Sequence, residues 1–285
     1  MPTYAVTGAS GHLGRRVVEE LLARGVPAQD VVAVVRTPAK AGDLADRGVQ
    51  VRPGDYSDPQ TLPAALAGVQ RLLLVSASEP GNRVAQHTAV IDAAKDAGVE
   101  RIAYTSILHA DTSTNPLAPE HRATEEVLRA SGVPFTVLRN SWYTENYTDQ
   151  LGQYLERGEI LGAAGNGRIS AAPRPDYAVA AASALLADEP GNAVYELGGP
   201  AFTLAELAAA VSEVTGRTVG YRDVSPQELV EALQQAGLDA ATAGFVAAID
   251  ESIAAGTLET DSDDLARLLG RDPTPLREAI RAARP

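Results

Sequence analysis

One stretch near the N-terminus constrains this chain more than any other. Gly8-Ala9-Ser10-Gly11-His12-Leu13-Gly14 follows a short apolar run, Tyr4–Thr7, and opens a helical pattern at His12. Glycines at this spacing are weak evidence alone, but between a strand and a helix they read as a phosphate-binding turn. Gly8 lets the chain turn sharply, Gly11 lets backbone amides approach a pyrophosphate, and Gly14 lets the helix pack close to the sheet. The exposed amides and the positive helix end then favour phosphate charge, with Ser10, His12 and Leu13 completing the contact set. An ordinary tight strand–helix turn is the competing reading.

The alternation continues through Asn140. Apolar runs at Val31–Val35, Val49–Arg52, Leu72–Ser76, Ile102–Ser106 and Phe135–Leu138 are separated by helical patterns. The helices read as His12–Arg24, Ala39–Ala45, Pro59–Leu66, Val84–Ala97 and Pro119–Ala130. Runs nearly continuous in Val, Leu and Ile suit parallel strands covered on both faces. Gly25, Gly48, Gly68, Gly98 and Gly132 each follow a helical run, where a left-handed cap wants glycine. The pattern predicts an α/β, Rossmann-like, doubly wound parallel sheet with right-handed crossovers.

Beyond Asn140 the rhythm changes. Residues 1–150 read as the dinucleotide-binding domain, with a later strand and helix returning to it from 170–200. Residues 151–285 read as a smaller, mostly helical substrate or lid region. Gly162–Arg168 is expected to form a hairpin turn around Asn166-Gly167 rather than a second phosphate loop. A helix is expected over Asp176–Leu186 and a strand over Val194–Leu197, and Thr203/Glu206 and Ser225/Glu228 have the spacing of capping boxes.

Composition narrows the function. The absence of cysteine excludes disulfides and thiolate chemistry, and a net charge of −13 argues against nucleic acid as a partner. The four histidines show no H-x-x-x-H spacing, so no metal is expected. No apolar run approaches the roughly 20 residues that span a bilayer, and the opening residues lack signal-peptide character. The expectation is a cytoplasmic protein with no membrane partner, its homo-oligomeric state left open.

At the end of the second strand, where an acidic residue would bond the ribose hydroxyls of NAD, the chain has Arg36 and then Lys40. Arg36 can stack on adenine and pair with a 2′-phosphate, with Lys40 as a second cation, so NADP(H) is the expected cofactor. A solvated surface arginine is the alternative. After the third strand, Asp55 and Tyr56 stand where a carboxylate can face the adenine amino group or a simple turn can sit. Ser76, Ala77 and Ser78 follow the fourth strand, at a sheet edge where ligands bind; lining the nicotinamide ribose and forming a simple loop are the two readings.

No Tyr-x-x-x-Lys pair occurs, and His121 and Glu125 stand where it would be expected. A carbonyl reductase needs a positioned acid; a quinone accepts hydride more readily and can take its proton from water. His121 and Glu125 share a helix face; the expected arrangement is an exposed pair, with mutual orientation or proton relay as the alternative. Leu138–Tyr147 carries the only tryptophan, Trp142, with Asn140, Tyr143 and Glu145. Its aromatic planes and amides suit a planar ring such as nicotinamide or quinone, and packing between domains is the other reading.

Together TGASGHLGRRV, VVAVVRTPAKA, LLLVSASE, AYTSILHADTS, LRNSWYTENY and GAAGNGRISAAPRPDYA resemble the NmrA-like atypical short-chain dehydrogenase/reductases over nearly the whole chain. The resemblance implies cofactor contacts at Gly8, Gly11, Gly14 and Arg36. It places Asn140, Trp142, Tyr143 and Glu145 beside the nicotinamide, adds Arg174, and implies hydride transfer from NADPH to a quinone held by Tyr143 and Asn140. Some members instead bind the dinucleotide without turnover and regulate partner proteins, which is the alternative function.

Overall fold

The computed structural model describes residues 2–79, 81–188 and 190–284. Its first half alternates β1 (Tyr4–Thr7), α1 (His12–Ala23), β2 (Val31–Val35), α2 (Gly42–Asp46), β3 (Gln50–Pro53), α3 (Leu62–Leu66), β4 (Arg71–Leu74), α4 (Arg83–Asp96), β5 (Arg101–Ile107), α5 (Ala118–Ser131) and β6 (Phe135–Asn140). The second half continues α6 (Glu145–Thr148), α7 (Leu151–Arg157), β7 (Glu159–Gly162), α8 (Arg174–Leu186), β8 (Ala193–Leu197), α9 (Leu204–Thr215), β9 (Gly220–Asp223), α10 (Pro226–Gln235), α11 (Ala240–Ala254), α12 (Asp264–Leu269) and α13 (Leu276–Ala282).

Seven strands form one sheet in the order β3-β2-β1-β4-β5-β6-β8, every pairing parallel. The order reverses between β1 and β4, and in open α/β sheets ligands bind outside the carboxyl ends of the strands at such a point. β1 and β2 are buried along their whole length, which is why their sequences are almost unbrokenly apolar, whereas the edge strands β3 and β8 are partly exposed. Val6, Ala33 and Leu73 face α1 and α8, whereas Ala5, Val32, Leu72 and Tyr104 face α3, α4 and α5. Thus α8 and β8 return to the main sheet, and Leu265 of α12 joins the same core.

The glycines expected to cap helices, Gly25, Gly48, Gly68, Gly98 and Gly132, all have positive φ. Both capping boxes form, with Thr203 and Ser225 each accepting from the amide three residues on. A second core joins α7, β7, α9, α11 and α13 through Leu151, Ile160, Leu207, Ile249 and Ile280, and packs against Ile107 and Ala118 of the sheet domain.

The Gly162–Arg168 expectation is corrected. The segment does turn, with the Gly167 amide bonded to the Ala164 carbonyl at 2.8 Å. It is not a hairpin, because β7 pairs in parallel with the distant β9. The loop amides are taken by side chains instead: Ala163 donates to Asp250 and Gly165 to Asp223. No helix among the described residues is long and apolar enough to cross a membrane.

Candidate active site

A cavity of about 580 Å³ lies over the carboxyl ends of β1, β2, β4, β5 and β6. One end is built by the glycine turn. Gly8 has φ +59°, and a Cβ at Gly14 would stand 2.5 Å from the Gly8 carbonyl oxygen. Helix α1 therefore starts hard against the strand it follows. Its N-terminus has no side-chain cap and no acidic residue in the first turn, so its free amides face the cavity end with their partial positive charge uncancelled. That suits a phosphate group.

Ser10, Gly11, His12, Leu13, Arg36, Asp55 and Tyr56 line this same end. The Arg36 guanidinium lies 3.4 Å from Glu79, with both side chains at least half exposed. The Tyr56 hydroxyl donates within the fold, to the Val75 carbonyl at 2.9 Å, and also lies against the Thr7 hydroxyl. Burial raises its pKa, so the phenol stays neutral. Asp55 accepts from the Ser57 amide at 2.9 Å, a turn contact that leaves the carboxylate at the cavity wall. Lys40 is not brought into the wall: it stands exposed on a short 3-10 turn, Pro38–Ala41, and its carbonyl accepts from Arg15.

At the other end, β6 delivers Asn140 to the cavity, followed by Trp142 and Tyr143. Tyr143 packs edge-on to Tyr177, with ring centroids 5.4 Å apart, and the Arg174 guanidinium lies 5.1 Å from its ring centre. Burial lifts the Tyr143 pKa above its usual range, with Asn140 and Arg174 offsetting part of that rise. Glu145 does not line the cavity. Its two carboxylate oxygens accept from the Arg174 amide at 2.9 and 3.0 Å, so it fixes the start of α8. Ser76, Ala77 and Ser78 form the wall between the two ends.

The floor includes His121, and here the expected exposed pair is corrected. His121 is 6% and Glu125 1% exposed, because this face of α5 packs onto the sheet. Nor do the two bond each other. His121 Nδ1 is 2.7 Å from the Tyr104 hydroxyl. Glu125 takes a two-pronged contact from Arg139 at 2.8 and 3.0 Å and accepts from Ser106 at 2.7 Å. Burial and the charge of Arg83 hold the His121 pKa well below the ordinary imidazole range, so the ring is neutral.

Gln86 and Glu79 also reach the wall, and neither has a sequence signature, since both arrive through the β4–α4 connection and the first turn of α4. Gln86 Oε1 and Asn140 Oδ1 are buried with no hydrogen-bond partner among the described residues. Orphaned buried acceptors are costly unless a ligand donor reaches them. With the uncapped helix start they make the cavity fit an extended dinucleotide.

A profile of proteins described as NAD(P)H-binding matches residues 8–186. The chain is 47% identical over 277 residues to quinone oxidoreductase 2 of Escherichia coli K12, covering 97% of this chain and 96% of that protein. It is 34% identical to an NmrA-like family domain-containing oxidoreductase of Aspergillus flavus, covering 98% of this chain and 94% of that one. A crystal structure of E. coli NADPH-dependent quinone oxidoreductase complexed with NADPH superposes with a TM-score of 0.95 at 46% identity, over 98% of this chain and 99% of the other. The glycine turn, the reversed strand order and the profile spanning both agree: this chain belongs to the NAD(P)H-binding, NmrA-like family.

Proposed function

We propose that this protein is a cytoplasmic, short-chain-type oxidoreductase that transfers a hydride from NADPH to a quinone. The observation that carries the reading is one continuous cavity joining an uncapped helix start and Arg36 to Asn140, Tyr143 and Arg174. NADPH supplies the hydride when bound. The glycine turn from Gly8 to Gly14, through the amides of Ser10, His12 and Leu13, left free among the described residues, holds its pyrophosphate, and Arg36 reads its 2′-phosphate. Asp55 and Tyr56 flank the adenine, and Ser76, Ala77 and Ser78 line the nicotinamide ribose.

Asn140, Trp142 and Tyr143 orient the nicotinamide and the acceptor. Arg174, seated by Glu145, closes that end. His121 lies across the acceptor's side of the cavity. From residues 151–285 Arg174 lines the cavity, and Trp142, which also lines it, packs in one apolar cluster with Tyr147 and Phe202. Rate comes chiefly from proximity and orientation. No tyrosine–lysine pair is needed, since a quinone can take its proton from water.

The test is to mix protein, NADPH and a small quinone and follow loss of the reduced-nicotinamide absorbance. A rate well above the protein-free mixture is expected. A rate no faster, with NADPH still bound, would leave the dinucleotide-binding regulator as the reading.

A further inference from the structure

His121 offers the cavity a ring nitrogen whose protonation is set from behind. The setting begins at His87 on α4. Its Nε2 accepts from the Ala77 amide at 2.9 Å, so its proton sits on Nδ1 and is donated to the Thr124 hydroxyl at 3.0 Å. Thr124 in turn donates to the Glu120 carbonyl at 2.8 Å. The Thr124 hydroxyl proton is thus committed to that carbonyl.

Tyr104, buried between the two histidines, keeps its phenolic proton because burial raises its pKa. Thr124 and Ser76 also lie against its hydroxyl, but their own protons go to the Glu120 and Ala77 carbonyls, and we assign the Tyr104 proton to its 2.7 Å contact with His121 Nδ1. With Nδ1 accepting, the proton of a neutral His121 resides on Nε2. Nε2 has no hydrogen-bond partner among the described residues, and His121 lines the same cavity as Ile107, Leu117 and Trp142.

The charged groups around the ring keep it neutral. Arg83 and His87 on α4 oppose a positive charge there. Glu120 is committed to Arg83 and the Gly81 amide, and Glu125 to Arg139 and Ser106. Neither acid is left to stabilise an imidazolium.

Resting on the quinone reading above, we infer that His121, held as its Nε2–H tautomer by Tyr104, donates a hydrogen bond to the quinone oxygen that becomes negative as hydride arrives. The quinone gains the hydride's two electrons and is reduced, and the nicotinamide that gives up the hydride is oxidised. One quinone oxygen then carries the negative charge, and a proton from water completes the hydroquinone. His121 keeps its own proton throughout, because surrendering it would need a buried tyrosinate at Tyr104. A fixed neutral donor aimed at developing charge costs no reorganisation during the reaction. Tyr104 acts as a positioning residue.

The test has two parts. Long-range proton–nitrogen NMR on the cofactor-free protein, with the His121 signal assigned by its loss in His121→Gln, should show a neutral Nε2–H ring at pH 6. In Tyr104→Phe that tautomer preference should weaken. An Nδ1–H or imidazolium ring in the wild type would overturn the inference.

Kinetically, His121→Gln and His121→Met are similar in size, but only Gln can donate. The Gln variant should keep a kcat at least about tenfold above Met, where loss of such a donor costs on the order of 100-fold. Both should bind NADPH with unchanged Kd by fluorescence titration. Equal kcat values alongside a normal wild-type rate would overturn the donor role alone. No wild-type quinone turnover would overturn the quinone reading beneath it.

Discussion

Arg36 and Glu79 lie 3.4 Å apart with side chains 68% and 50% exposed, and exposed pairs of this kind contribute only about 0–1 kcal/mol. Arg36 is therefore released cheaply to a better partner. A bound 2′-phosphate offers one, through charge-assisted bonds to a planar fork of donors. Such bonds contribute about 1.5–3 kcal/mol, so Arg36→Asp should lower kcat/KM for NADPH by roughly 10- to 100-fold and shift preference toward NADH. Unchanged selectivity in steady-state rates would show that another residue reads the phosphate. The glycine turn separates cofactor binding from folding. A Cβ at Gly11 would meet the Gly8 carbonyl at 3.2 Å, a contact the loop can ease, whereas at Gly14 it would stand at 2.5 Å from the same oxygen. Gly11→Val should fold with nearly wild-type Tm yet give no heat on titration with NADPH. Gly14→Ala should instead lower Tm by many degrees. Normal NADPH affinity in Gly11→Val would remove the turn from the phosphate site.

Helix α5 is anchored to β6 by an ion pair that neither element could hold alone. Arg139 and Glu125 are 5% and 1% exposed in their side chains, and Glu196 of β8 and Asp111 take the remaining Arg139 nitrogen. Glu125→Leu alone leaves the buried Nε and Nη2 of Arg139 without an acceptor while Glu196 and Asp111 still hold Nη1, so its cost should approach that of breaking a buried pair, about 3–5 kcal/mol. The double change Glu125→Leu with Arg139→Met should be less destabilised than that single change, as read by urea midpoints; an additive loss would show that the pair is not coupled. The same elements mark what could be read from the chain itself. Strands β1 and β2 were legible to the residue because burial on both faces writes a continuous apolar run. Glu125 was not, because its partner comes from another strand and nothing local distinguishes a buried carboxylate from a solvated one. Asn166-Gly167 announced a turn, which forms one residue earlier with Gly165-Asn166 at its centre, but its flanking strand pairs with β9, and long-range parallel partners leave no mark at the turn. In the site, the glycines, Arg36 and the Asn140–Tyr143 segment were legible through position at strand ends. Gln86 was not, since a glutamine on a helix carries no sign that its amide oxygen will be orphaned in a cavity.

At the scale of the whole molecule, the packed sheet and helices hold two neutral histidines, His121 in the cavity floor and His87 behind it, and this makes stability depend on pH. His87 is fully buried beside Tyr104, and burial, reinforced by the Arg83 charge, pushes its pKa down to about 3 from 6.5. The His121 pKa is lowered in the same direction. In the unfolded chain both rings protonate near 6.5, whereas in the folded protein they do not. Between about 6.5 and 3, then, the unfolded state binds more protons at His87, and stability falls as the pH falls through that window. Each such ring contributes a slope of about 1.4 kcal/mol per pH unit once the pH is well below 6.5. Buried carboxylates add their own acid dependence, so the contribution of one ring is isolated by substitution. His87→Gln preserves the bonding pattern, because its amide oxygen can accept from Ala77 while its nitrogen donates to Thr124. Urea-unfolding free energies measured from pH 7.5 to 4.5 should converge for the two proteins as the pH falls, with the variant showing the shallower loss. Parallel curves across that range would mean that His87 takes up a proton without unfolding, and that the closed packing of α4 and α5 over the sheet does not keep its ring neutral.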